Sequence, residues 1–154
     1  MKGKQRARGV LYAEDFNYWK TGQSSPDRWM ERSKALILSH GGKGVKEGFL
    51  SGGEKAFYIL SFELQGHTFR AIWPVLPTLE GNEYAAKVQA ATALHHEIKA
   101  RLLAAKVVGA VEAMLSWKLL ADGRSAGEVA KAEPQQLKNL LQETFYPQLS
   151  GGEK

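Results

Sequence analysis

Ala56-Phe57-Tyr58-Ile59-Leu60-Ser61-Phe62-Glu63-Leu64-Gln65-Gly66-His67-Thr68-Phe69-Arg70-Ala71-Ile72-Trp73 decides the fold, because it reads as two strands closed by a two-residue loop. A loop of that length fixes which side chains stand opposite. Pairing outward from Gln65-Gly66 sets Leu64 across from His67, Phe62 from Phe69, Leu60 from Ala71 and Tyr58 from Trp73, so one face is apolar and aromatic. The other face pairs Glu63 with Thr68, Ser61 with Arg70 and Ile59 with Ile72, a mixed surface fit to meet solvent. Such a hairpin identifies a core, and a core is not a function.

Just upstream, Val45 to Leu50 is expected as a further strand, joined through Ser51-Gly52-Gly53-Glu54-Lys55, which makes an antiparallel meander. Pro74 and Pro77 stop it, since proline has no N–H to give a ladder. Before the meander, Ser25-Pro26-Asp27 has the form of a helix start, with a capping serine, proline at the first position and an early acid. That helix should run to about Ser39, carrying Trp29, Ser33, Leu36 and His40 along one side, and His40-Gly41-Gly42-Lys43-Gly44 should close it. A glycine-rich loop with a lysine also suggests phosphate binding. A phosphate loop, however, is entered from a strand and left into a helix, and here that order is reversed.

Downstream, Tyr84 to Trp117 contains no proline and one glycine, Gly109, and reads as a single long helix of about 50 Å. A domain of this size has a radius of gyration near roughly 15 Å, so the helix either bends at Gly109 or projects toward a partner. Asp122-Gly123 is a turn signal, Ser125 caps a short helix through Ala130, and Pro134 opens a final helix with Leu137, Leu140 and Leu141 on one side. The fold class expected is therefore α+β, a three-stranded antiparallel sheet packed against a long helix plus N- and C-terminal helices. Residues 1–24 divide off as a basic arm with an aromatic extension, 25–149 as a single domain, and 150–154 as a short polar tail. A chain of 154 residues, 44% hydrophobic, suits one such core.

Composition narrows the function. Cysteine is absent, which excludes disulfides, thiolate metal sites and cysteine nucleophiles. No apolar run approaches a membrane span, and the basic start is not followed by the apolar stretch of a signal peptide, so a cytoplasmic protein without a membrane partner is expected. The net charge of +5 is concentrated at one end: Lys2, Lys4, Arg6 and Arg8 carry four of it, with no acid among the first eight residues. An arm of that kind adds phosphate contacts through counterion release. The run Val10 to Trp19 is too aromatic for a solvated linker and should dock on its own domain or on a second copy. Together with the length of the expected helix, it suggests a homo-oligomer.

The residues whose side chains are capable of chemistry form no recognised catalytic set. His95 and His96 are neighbours on a helix, about 100° apart, whereas helical metal pairs use i and i+4, so no metal or cofactor is expected. Ser61, Glu63, Thr68 and Arg70 share the outer sheet face, where polar cross-strand pairs are ordinary surface. Asp122, Arg124 and Glu128 suit a tight turn with a local ion pair. Lys43, Lys46 and Arg70 are the cations of the body best placed to line a pocket for a nucleotide.

The chain resembles a family of small uncharacterised phage and prophage proteins. The likeness is carried by Ser25-Pro26-Asp27-Arg28 and its helix, by Ser61 to Arg70 with Trp73-Pro74-Val75-Leu76-Pro77 after it, by Ile98-Lys99-Ala100-Arg101-Leu102, and by Asp122-Gly123-Arg124 with its flanks. It implies a mobile-element setting and a fold, and it carries over no functional residue. The function expected is a non-enzymatic phage-type accessory protein that binds nucleic acid through Lys2, Lys4, Arg6 and Arg8. The alternative is a counter-defence protein that sequesters a nucleotide signal or inhibits a host protein.

Overall fold

The computed structural model describes residues 5–22, 24–53 and 55–135. Helix α1, Pro26–Ser39, starts as the sequence indicates: the Ser25 hydroxyl accepts from the Arg28 N–H at 3.2 Å, and Pro26 occupies the first turn. It ends in a Schellman closure. Gly41, at φ 88°, lets its own N–H reach Leu38 O and lets the Gly42 N–H reach Ile37 O. The glycine loop is thus a helix cap. Gly42 has no room for a side chain either, since a Cβ there would stand 2.4 Å from Ile37 Cγ2.

Three strands follow: β1 Lys43–Gly52, β2 Lys55–Leu64 and β3 His67–Val75, paired antiparallel in the order β1-β2-β3. The β2–β3 register matches the expected pairs from Leu64–His67 to Tyr58–Trp73. Gln65 (φ 53°) and Gly66 (φ 78°) are both left-handed, as the twist of a two-residue hairpin loop demands. Tyr58, Leu60, Phe62, Leu64, Phe69 and Ala71 are buried on the inner face against Met30 and Ile37 of α1 and the helix that follows.

That helix, α2, is Glu83–Val108, with Asn82 accepting from the Ala85 N–H at its start. It stops well short of Trp117, which corrects the expectation of one continuous helix. Gly109 adopts φ 94° and ψ 152°, a conformation open essentially to glycine alone, and the chain turns into a four-residue helix α3, Ala110–Ala113, and a 3-10 turn at Leu115–Trp117. The turned segment lies back on α2. The Arg101 guanidinium sits 4.0 Å over the Trp117 ring and donates to Ser116 Oγ and Glu97 Oε1. Gln65, at the hairpin tip, spans the break: its amide donates to Ala105 O at 3.2 Å and its oxygen accepts the Ala110 N–H at 2.8 Å.

The last described helix, α4, is Ala126–Ala132, opened by a reciprocal cap between Ser125 and Glu128. The helix expected from Pro134 lies outside the described residues beyond position 135. The aromatic run near the N-terminus docks on its own domain. Tyr12 and Ala13 are buried, Ala13 N–H donates to Pro77 O, and the Gln89 amide of α2 donates to the carbonyls of Ala13, Phe16 and Asn17. Glu14 accepts the Leu79 and Glu80 N–H groups, and Lys20 pairs with Glu80. Both observations behind an oligomer, an overlong helix and an undocked aromatic segment, are therefore accounted for within one chain.

Candidate functional site

The cations singled out from the sequence do not assemble into one site. Lys2 and Lys4 lie outside the described residues. Arg6 is clasped by Asp15, its two terminal nitrogens 2.7 and 2.8 Å from the carboxylate, and lies over the Tyr12 ring; the hydrogen bond from Arg6 holds Asp15 below the usual carboxylate range. Arg8 is exposed. Lys43 and Lys46 are exposed on β1, opposite Glu63 and Ser61, and Ser61 in turn faces Arg70, so Lys46 and Arg70 flank Ser61 on the outer sheet face. Arg70, however, spends its charge internally. It donates to Glu128 Oε1 at 2.6 Å and to Gly123 O at 3.2 Å, tying β3 to the start of α4. Burial raises the Glu128 carboxyl, and the hydrogen bond and charge of Arg70 together with the hydrogen bonds from Ser125 outweigh it, so the group ends below its ordinary value. Asp122 and Arg124 form the local ion pair of the turn.

A more coherent site lies at the free edge of β3. In an antiparallel ladder alternate residues turn their N–H and C=O groups to opposite sides. Thr68 O accepts from Leu119 N–H on the side away from β2, so Arg70, Ile72 and Pro74 present their backbone groups to that same side. The segment after α3 pairs with this edge only at its beginning, through the Phe69–Lys118 bridge, and no strand of the described residues pairs with the rest. Pro74, which lacks an N–H, sits where a proline is tolerated in a sheet.

Beside that edge opens a cavity of about 540 Å³. Trp73 and Ile72 form one wall, Trp117 closes one end, and Ala90 and Ala93 of α2 form the floor. The opposite wall is the docked N-terminal segment, through Leu11, Phe16 and Tyr18, with Leu11 61% and Phe16 46% exposed. Its lining is mainly apolar. Its polar members are Asp15, paired with Arg6, the Gln89 amide, occupied by three carbonyls, Asn17 and the Tyr18 hydroxyl. A smaller cavity of about 390 Å³ lies between the β1–β2 turn and the start of α2, lined by Phe49, Lys55, Thr78 and Lys87 among others.

Sequence reasoning missed this site for a definite reason. Its end wall, Trp117, is in place only because the chain breaks at Gly109, and its front wall is a segment whose docking surface lies some seventy residues away. The available signals were Gly109 itself and Gln89, a polar residue on what becomes a buried helix face. Among the described residues no cluster of three His, Asp or Glu side chains could hold a metal ion, and no helix is long and apolar enough to cross a membrane. Compared with protein families, curated proteins and solved structures, the chain finds no match, so its site is read from its own residues.

Proposed function

We propose that the chain is a non-enzymatic binding protein whose ligand is an extended polypeptide segment, taken up along the free edge of β3 with a large apolar side chain seated in the adjoining cavity. The observation that carries this is the juxtaposition itself. The edge groups of Ile72 and the carbonyl of Pro74, beyond the Phe69–Lys118 bridge, require backbone partners, which an added strand supplies, and the cavity beside them supplies side-chain selectivity. Its volume lies within the range typical of ligand pockets. In the mobile-element setting that the resemblance implies, the polypeptide would be a host protein. The reading of nucleic acid bound by the arm keeps Lys2, Lys4 and Arg8 as its carriers, with Arg6 committed to Asp15.

The test is selection of binders from a random displayed peptide library, followed by titration against the protein and its Ala93→Phe variant, which fills the cavity from the floor. Selected peptides should share one aromatic or large aliphatic anchor, bind at least tenfold more weakly to Ala93→Phe, and shift the Ile72 amide resonance. Binding indifferent to Ala93→Phe, with no change at Ile72, would refute the proposal.

A further inference from the structure

Where the docked N-terminal segment meets α1 and α2, three elements bring rings and cations onto one surface. Tyr18 stacks on the exposed His96 ring of α2 at 5.0 Å between centroids and 14° between planes. Trp29 of α1 packs against His95 and His96 at 5.1 and 5.8 Å, and the Arg32 guanidinium lies 4.8 Å over the Trp29 ring. Arg32, His96 and Lys99 are exposed. Tyr18 and Lys20 both hold left-handed backbone, at φ 71° and 55°, an uncommon conformation for such residues.

Lys99 and Arg32 bring positive charge to this surface: burial lowers the His95 imidazole most, and its neighbours His96, Lys99 and Arg32 lower it further. Two acids on the same helices are turned to other partners, Glu31 to Lys34 and Glu97 to Arg101, and Asp27 and Glu83 lie in the first turns of α1 and α2. Stacked rings beside uncompensated cations match a ligand that offers both flat faces and negative charge.

We infer that Tyr18, Trp29, Arg32, His96 and Lys99 form a binding surface for single-stranded nucleic acid, with unpaired bases on the rings and backbone phosphates on Arg32 and Lys99. A duplex keeps its bases stacked internally and offers the rings nothing to stack on. The surface adjoins the basic arm along one segment of chain, since residues 9–17 link Arg8 to Tyr18. It shares Tyr18 with the wall of the cavity beside the β3 edge, whereas Arg32 and Lys99, the cations that test it, do not line that cavity.

The experiment is anisotropy titration of the full chain with a labelled twelve-residue oligothymidylate and with a duplex of the same length, at low and moderate salt. The single strand should bind at least tenfold more tightly than the duplex. The double variant Arg32→Ala/Lys99→Ala, both changes being on exposed positions, should lose at least tenfold and reduce the logarithmic salt slope by about 1.4, the value for two phosphate contacts on a single strand. His96→Ala should weaken binding with the salt slope unchanged. Equal binding of duplex and single strand, binding abolished by deleting residues 1–9 but untouched by Arg32→Ala/Lys99→Ala, or equal competition by poly-glutamate would each overturn the inference, as would no binding at all.

Discussion

Replacing Gln65 by Asn isolates what the hairpin tip contributes. On local grounds the change is favourable: Asn tolerates the left-handed conformation at φ 53° better than Gln, a gain of at most about 1 kcal/mol. The side chain is shorter by one carbon–carbon bond, about 1.5 Å, and no longer reaches across the helix break. Two hydrogen bonds are lost, and they are not equal. Ala105 O keeps the Gly109 N–H at 3.0 Å, whereas the Ala110 N–H, in a buried residue, has Gln65 as its partner. Leaving that donor unsatisfied costs about 1–3 kcal/mol. The net expectation is a loss of about 1–2 kcal/mol, which with a urea slope of roughly 2 kcal/mol per molar lowers the midpoint by about 0.5–1 M. Urea unfolding followed by far-ultraviolet circular dichroism measures it. A midpoint equal to or above that of the parent chain would show that the tip is only a turn and that the contact across Gly109 contributes nothing.

Glu14→Gln should destabilise the chain in a pH-dependent way. Burial opposes the charged carboxyl, but the N–H groups of Glu80 and Leu79 hold it below its ordinary value, so its contribution is full at neutral pH and is lost as pH falls through that lowered value. The difference in melting temperature between variant and parent should therefore be present at neutral pH and shrink below about pH 4; a constant difference would rule the carboxylate out. Gly109→Ala should cost about 1–3 kcal/mol, because φ 94° with ψ 152° strains any residue bearing a Cβ. Increased helical dichroism without loss of stability would instead mean that the helix can run through the break.

What was legible in the chain was what short-range geometry determines. The β2–β3 register follows from a two-residue loop and a side-chain period of two, and the end of α1 follows from Gly41 and Gly42 standing one and two places past its cap. The end of α2 was not legible in the same way. Good helix formers lie on both sides of Gly109, and one glycine inside such a run lowers helix preference by only about 1 kcal/mol, less than tertiary contacts from Gln65 and Arg101 supply together. Arg70 illustrates the corresponding difficulty for function. Its strand position was readable from the hairpin, yet its partner, Glu128, is 58 residues away, and only the fold shows that its charge is already met.

The docking of residues 12–18 also sets an order of events during synthesis. Ala13 lies 76 residues before Gln89, and Glu14 lies 65 before Leu79. At the usual pace of translation, about 5–20 residues per second, the aromatic run waits roughly 4–15 s for the helix that receives it. Throughout that interval the run has no surface to dock on, so the nascent chain displays this aromatic stretch first and docks it, burying Tyr12 and Ala13, only after the meander and the start of α2 have been made. Chaperones that read short apolar segments would meet this protein at its N-terminus, and the cavity would be completed later still, once Trp117 has been made and laid back on α2.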